Sequence, residues 1–224
     1  MPTPPVLVFD LDGTLVDTAP DLLGTLNTVL TEAGHAPVPF EVAREMIGRG
    51  ARVMLARGFA ARGVTLGADE LDRANARFLE IYEDRIADES VPFEGLEAAL
   101  DRFSAEGYLL AVCTNKYERL SRLLLDKLGL TDRFAAIAGQ DTYGVSKPHP
   151  DHILKTVAAA GGAASDAIMV GDSRTDIDAA RASGVPVVAV TFGYTDVPVS
   201  DLGPDRVVDS YAALWEAVAS LRQR

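Results

Sequence analysis

The stretch VLVFDLDGTLVDT, residues 6–18, joins four consecutive apolar residues to two aspartates separated by one leucine, then to a glycine and a threonine. An apolar run without alternation suits a strand covered on both faces, the kind found inside a parallel sheet wrapped by helices. Asp10 ends that strand. Asp12 comes two residues later on extended backbone, where side chains two apart point the same way. Gly13 permits a sharp turn, and Thr14 can fix it by hydrogen bonding. A strand built for burial that ends in two carboxylates is unusual enough to organise the reading of the whole chain.

Outward from this stretch the pattern changes twice. Residues 17–89 read as helical throughout, with helices over 19–33, 41–47, 52–62 and 69–87 separated by GRG (48–50) and RGVTLG (62–67). Asp17 or Thr18 is the expected N-cap of the first, and Gly34 its stop. In the last, Leu71, Ala74, Phe78, Tyr82 and Ile86 recur at helical spacing and form its buried stripe. After residue 89 strands alternate with helices. Strands are expected at 108–113, 135–138, 167–170, 187–190 and 206–208, and helices at 96–106, 117–128, 151–160, 176–182 and 211–222. The fold class is therefore α/β, a Rossmann-like parallel sheet core with an all-helical cap inserted after the first strand. The core takes residues 1–16 and 90–224, and the cap takes 17–89.

The 224 residues carry 33 acidic against 21 basic side chains, a formal charge of −12, so nucleic acid and anionic membranes are poor default partners. Cys113 is the only cysteine, which excludes an internal disulfide and a multi-cysteine zinc site. Cys113 is expected to fill the core, His149 and His152 to shape a helix start, and Trp215 to pack on the sheet. MPTPPVLVFD has neither a basic leader nor a long apolar span. A cytoplasmic protein, monomer or homodimer, is the expectation.

Ligands of open parallel sheets bind beyond the carboxyl ends of the strands, so chemistry is expected in the residues just past each strand. Asp10 and Asp12 come after the first. Thr114, Asn115 and Lys116 come after the strand at 108–113, and Lys147-Pro148 lies a short way beyond the strand at 135–138. Asp172 and Ser173 come after the strand at 167–170, with Asp176 one helical turn on. So many acids at one edge repel one another unless a cation intervenes. Mg2+ takes oxygen ligands, one or two of them protein carboxylates, and leaves room for water and phosphate. With Asp10 and Asp172 holding such an ion and Lys147 adding charge, a phosphate can approach Asp10 as nucleophile, with Asp12 as acid and base. The Thr114 hydroxyl, the Asn115 main-chain N–H and the Lys147 ammonium are suitable donors for phosphate oxygens.

DLDGT, TNK, KP and GDSRTD, in this order and spacing, resemble the motifs of the haloacid dehalogenase-like hydrolase superfamily, and the likeness spans essentially the whole chain. The resemblance implies that Asp10 is the aspartyl-phosphate nucleophile and Asp12 the acid/base. It pairs Thr114 with Lys147 on phosphate. It makes Asp172, Asp10 and the main-chain carbonyl of Asp12 the metal ligands, with Asp176 and Ser173 in support. The dehalogenases lack an acid equivalent to Asp12, so its presence argues for a phosphatase. Phosphonate-cleaving relatives use a cap lysine, and residues 17–89 contain none. LVDTAPDL (15–22), IGRGA (47–51) and VPFEGL (91–96) look like the phosphoglycolate phosphatase branch. The implied function is Mg-dependent hydrolysis of a small phosphomonoester, 2-phosphoglycolate for preference. Cap closure is expected to bring Arg49, or the main-chain N–H groups of Gly48–Gly50, to the far end of the substrate. A sugar-phosphate mutase of the same superfamily and a receiver-like phospho-aspartate switch are the alternatives.

Overall fold

Val6–Phe9 (β1) is wholly buried and lies at the centre of the sheet, hydrogen-bonded on both sides. The computed structural model that shows this describes residues 3–195 and 197–222. Met1, Pro2, Gln223 and Arg224, at the two ends of the expected core segments, and Asp196 lie outside the described residues. The other strands, in chain order, are Val16–Asp17 (β2), Val91–Pro92 (β3), Leu109–Cys113 (β4), Ala136–Ala138 (β5), Ala167–Gly171 (β6), Val187–Val190 (β7) and Arg206–Val208 (β8). Six of them form one sheet in the order β5-β4-β1-β6-β7-β8, with every neighbouring pair parallel. Phe9 stands opposite Val112 and Val170, so the carboxyl ends of β4, β1 and β6 finish level with one another. The strand order reverses at β1, and a crevice opens there.

Alternation along the strands divides the core into two faces. Val6, Val8, Ala111, Cys113, Met169 and Val187 pack against Pro150–Ala159 (α7) and Arg174–Ser183 (α8), through Ile153, Val157, Ile177 and Ala180. Leu7, Phe9, Val112, Val170 and Val188 face the other way. They meet Leu96–Ala105 (α5), Glu118–Lys127 (α6) and Leu214–Arg222 (α9) through residues such as Leu100, Phe103, Leu124 and Val218. Truncating one of these fully buried leucines to alanine costs about 2–5 kcal/mol. The last expected helix divides: Tyr211–Ala213 is a tight 3-10 turn and α9 begins after it. Trp215 packs on Phe103 and Tyr108, with the Arg102 guanidinium 4.2 Å from its ring centre, so it covers α5 rather than the sheet.

Between β2 and β3 the chain forms Ala19–Glu32 (α1), Phe40–Arg44 (α2), Ala51–Ala60 (α3) and Ala68–Asp84 (α4). The segment expected as a helix over 41–47 is cut to five residues, and Glu45 to Gly50 become turns. The two ends of this insertion are tied together. Val16 pairs with Pro92 and Asp17 with Val91 in an antiparallel two-residue ribbon. Beside it the buried Asp21 carboxylate accepts the Ser90 N–H at 2.8 Å and hydroxyl at 2.7 Å, and the Glu89 N–H at 3.0 Å. The ribbon is too short to carry a periodic signal, which is why sequence alone does not reveal it.

Candidate active site

The Asp10 N–H continues the ladder by donating to the Val170 carbonyl at 2.9 Å, so this residue is held as firmly as the strand it ends. Its Oδ1 accepts the Leu11 N–H at 2.7 Å and lies 2.9 Å from Lys147 Nζ. The same ammonium donates to Asp176 Oδ1 at 2.6 Å. Asp176 Oδ2 in turn accepts the Ser173 hydroxyl at 2.6 Å and the N–H groups of Ser173 at 3.0 Å and Asp172 at 3.2 Å. Asp172 takes the Thr14 hydroxyl at 3.0 Å on one oxygen and the Tyr194 N–H at 2.6 Å on the other. Gly13, at φ 81°, carries the turn between these groups: a Cβ there would lie 2.6 Å from Asp172 Oδ2.

This arrangement is short of positive charge. Asp10, Asp172 and Asp176 are all buried, and each offers an oxygen within 4.8 Å of the others. Among the described residues, the Lys147 ammonium is the only cation paired with this cluster, and it reaches Asp10 and Asp176 but not Asp172. Burial pushes Asp10 up to about 7, although Lys147 pulls it down in part. Burial, then Asp176 and Asp10, raises Asp172 well above the usual carboxylate range. Burial by itself would lower Lys147, but the Asp10 and Asp176 carboxylates outweigh it and hold the ammonium charged. A cluster of hard oxygen donors with uncompensated negative charge fits a divalent cation such as magnesium.

Asp12 does not join this cluster. Its carboxylate accepts the Thr18 hydroxyl at 2.8 Å and Lys116 Nζ at 2.9 and 3.0 Å. Thr18 does stand at the N-cap position of α1, but its side chain makes no capping bond, since Asp12 has claimed it. Burial alone would lower Lys116; the Asp12 carboxylate outweighs that and holds the ammonium above the ordinary lysine range.

Thr114 is buried at the end of β4, where its hydroxyl accepts the Lys116 N–H at 3.2 Å. The Asn115 side chain clamps the backbone of Lys147, donating to its carbonyl at 3.0 Å and accepting its N–H at 2.9 Å. Ser173 touches Asp176 rather than Lys147, so it steadies the lysine through one intervening carboxylate. Gly48 and Gly50 reach a cleft above Asp10 and Asp12 that encloses about 530 Å³, part of it open to solvent. Arg49 does not. It is exposed and lines a neighbouring depression with Ser146, Pro148 and Asp178, which Asn115 and Lys147 also line. The flanking glycines, at φ 100° and 83°, let the main chain turn toward the core while the side chain between them stays outside.

The family model for haloacid dehalogenase-like hydrolases matches residues 7–190. The chain belongs to that family. A phosphoglycolate phosphatase of Mesorhizobium japonicum is 51% identical over 96% of this chain and 95% of its own length. One from Agrobacterium fabrum is 49% identical over 97% and 93%. Among solved structures, a predicted phosphoglycolate phosphatase of Haemophilus somnus superposes with a TM-score of 0.88 at 29% identity, covering 94% of this chain and 96% of that one. Among the described residues no helix is long and apolar enough to cross a membrane.

Within this haloacid dehalogenase-like hydrolase the site also draws in residues to which the sequence pattern assigns no role there. Lys116, marked in the sequence only by its place after β4, is the sole cation lining the cleft among the described residues. Tyr194 connects three parts of the molecule: its N–H holds Asp172, and its hydroxyl donates to Asp17 in the ribbon and accepts the Ala19 N–H at 3.0 Å. The Arg44 guanidinium lies 5.3 Å from the centre of the Tyr194 ring and donates to the carbonyls of Phe192 and Gly193 at 3.0 and 3.2 Å. The segment FGY after β7 carries the only sequence signal, a glycine between aromatics beyond a strand end. Gly193 has no room for a Cβ against Asp172 and the Gly13 carbonyl.

Proposed function

We propose that the chain is a magnesium-dependent phosphatase that hydrolyses 2-phosphoglycolate through an aspartyl-phosphate at Asp10. The observation that carries this reading is the division of labour between the two aspartates. Asp10 is rigid, buried and paired with Lys147 inside the acid cluster, whereas Asp12, two residues on, stands outside that cluster and pairs with Lys116. Asp10 Oδ attacks phosphorus in line, and the bond to the ester oxygen breaks. Asp12, which enters this step protonated, gives that proton to the departing alkoxide, then regains one from the water that attacks the acyl phosphate. Inorganic phosphate leaves and both carboxyls return to their starting forms.

Asp10, Asp172 and the main-chain carbonyl of Asp12 would hold the magnesium ion, with Asp176 and Ser173 in support; when bound, it neutralises charge so that a phosphate dianion can reach a carboxylate. Lys147 adds a second positive charge beside Asp10, kept in place by Asn115 and Asp176. Thr114 and the Asn115 N–H are the remaining phosphate donors. Uncatalysed phosphomonoester hydrolysis is slow enough that accelerations approaching ~10²¹ are known, and fixed charge supplies most of such an effect. Residues 17–89 form a cap over a core of 1–16 and 90–224, hinged at the ribbon and limiting substrates to small ones. Relatives about half identical over nearly the full length, described as phosphoglycolate phosphatases, support the substrate. The single cysteine, Cys113, buried and unpaired, suits a cytoplasmic setting.

The test is phosphate release from a panel of small phosphomonoesters, with and without magnesium. Metal-dependent release with 2-phosphoglycolate among the better substrates is expected. No release from any member sinks the proposal, and isomerised sugar phosphate in place of free phosphate would mark a mutase.

A further inference from the structure

A substrate that carries a carboxylate as well as a phosphate presents two anionic ends to a protein of formal charge −12. Lys147 and the acid cluster deal with one end. Opposite Asp10 the cleft is walled by Ile47, Met54, Phe78 and Leu79, and none of these side chains can compensate a second charge. An anion left against such a wall without a partner is costly.

The structure assigns the second end to Lys116 and Tyr82, which together form a carboxylate subsite split between the sheet layer and α4. The assignment rests on the phosphatase reading above and deepens it. A lysine has three N–H donors. Two of them point to the oxygens of Asp12, at 2.9 and 3.0 Å, and the third is left facing the Tyr82 side chain. Across from it stands Tyr82, 1% exposed, with the Lys116 ammonium 4.6 Å from its ring centre. The Tyr82 hydroxyl is buried without a hydrogen-bond partner among the described residues, and both side chains line the cleft. Unpaired buried hydroxyls are rare, because leaving one unmet forfeits its hydration for nothing. Here the third ammonium N–H and an unpartnered hydroxyl share one small space.

Covalent geometry brings the substrate to the same place. To accept a proton from Asp12, the ester oxygen must lie within hydrogen-bond reach of it. In phosphoglycolate a single methylene separates that oxygen from the carboxylate. The ammonium bonded to Asp12 is therefore within a small rotation of the carboxylate, and it can serve both groups at once with its three donors. Tyr82 belongs to the insertion and Lys116 to the sheet layer, so the subsite is complete only when the two are together.

The experiment compares 2-phosphoglycolate with ethyl phosphate, which has the same skeleton with a methyl in place of the carboxylate. The readout is the ratio of the two kcat/KM values, with magnesium present. In Lys116→Met that ratio falls by roughly 30-fold or more, because one partner of a desolvated charge pair has been removed. In Tyr82→Phe, which loses only the hydroxyl, it falls by roughly 3–10-fold. Lys116→Arg recovers part of the loss. If both substrates decline by the same factor in Lys116→Met, the lysine only holds Asp12 and the subsite is refuted. An unchanged ratio in Tyr82→Phe removes the tyrosine from it. Wild-type protein that hydrolyses neither compound overturns the phosphatase reading itself and the subsite with it. An active wild type with unshifted variants overturns the subsite alone.

Discussion

The floor of the cleft and its roof are built in opposite ways. In the floor, Asp10, Lys147 and Asp172 follow three separate strands and Asp176 stands in the first turn of α8, and every one of them is fixed by two or more bonds between 2.6 and 3.2 Å. Backbone approaches so closely that a Cβ on Gly171 would lie 2.5 Å from Asp176. The roof is apolar side chains and a glycine loop. Its polar ties to the floor include two weak ones, Asn115 Nδ2 and the Thr175 hydroxyl each reaching the Gly48 carbonyl at 3.4 Å. Bonds of that length contribute little. The contrast separates chemistry from selection: charge is preorganised where the phosphoryl group reacts, and contacts that are easily broken and remade lie where substrates are chosen.

The severest way to break the floor is Asp10→Asn, which leaves shape and burial intact and removes the nucleophile. Turnover of every substrate in the panel is expected to fall by roughly 10⁴-fold or more, with the thermal midpoint unchanged or higher, since a buried carboxylate short of cations is also removed. Phosphate release followed beside a melting curve checks both parts. A variant that keeps a tenth of the activity would place the nucleophile elsewhere.

A gentler probe uses the charge imbalance. Without metal, burial holds folded Asp10 up to about 7, against 3.8 for the free side chain. Between about pH 4 and 7 the folded chain therefore binds more protons than the unfolded one, and its stability falls as pH rises through that window. Magnesium takes the place of the lost proton. The rise in thermal midpoint that it causes should be larger at pH 8 than at pH 5, by roughly 3 °C for a chain of this size. An equal rise at both values would show that ion and proton do not compete for one site. The roof has no such imbalance and contributes nothing to the effect.

The same contrast explains what can be read in the sequence. The strands are legible because each is a short apolar run, and the floor is legible because each run ends in polar residues that the topology must gather. Asp10, Lys147, Asp172 and Asp176 meet for that reason. Other features depend on where side chains go after folding. Thr18 looks like a helix cap and instead donates to Asp12. Lys116 sits in the motif TNK, yet its bond to Asp12 crosses 104 residues of chain. Tyr194 comes after a strand with only the glycine between two aromatics to mark it, and the ribbon of β2 and β3 has two residues on each side. Pairings across such distances leave no periodic trace.

Arg49 gives the smallest expected effect and the sharpest view of the roof. By sequence, the loop at 48–50 should present this guanidinium to the substrate, and a bidentate bond to a carboxylate would make the residue worth more than tenfold in KM. In the structure the two glycines do reach the cleft, while Arg49 lies exposed beside Ser146 and Asp178. Solvent screens a charge so placed, and exposed pairs contribute about 1 kcal/mol at most. Arg49→Ala should therefore change kcat and KM for 2-phosphoglycolate by about twofold or less, within the range of ordinary surface substitutions. Steady-state kinetics with this one variant decide the matter. A tenfold rise in KM would mean that the loop turns over as the cleft closes and carries the guanidinium inward. The cleft would then hold two cations rather than one, and Arg49 would share the carboxylate with Lys116 and Tyr82.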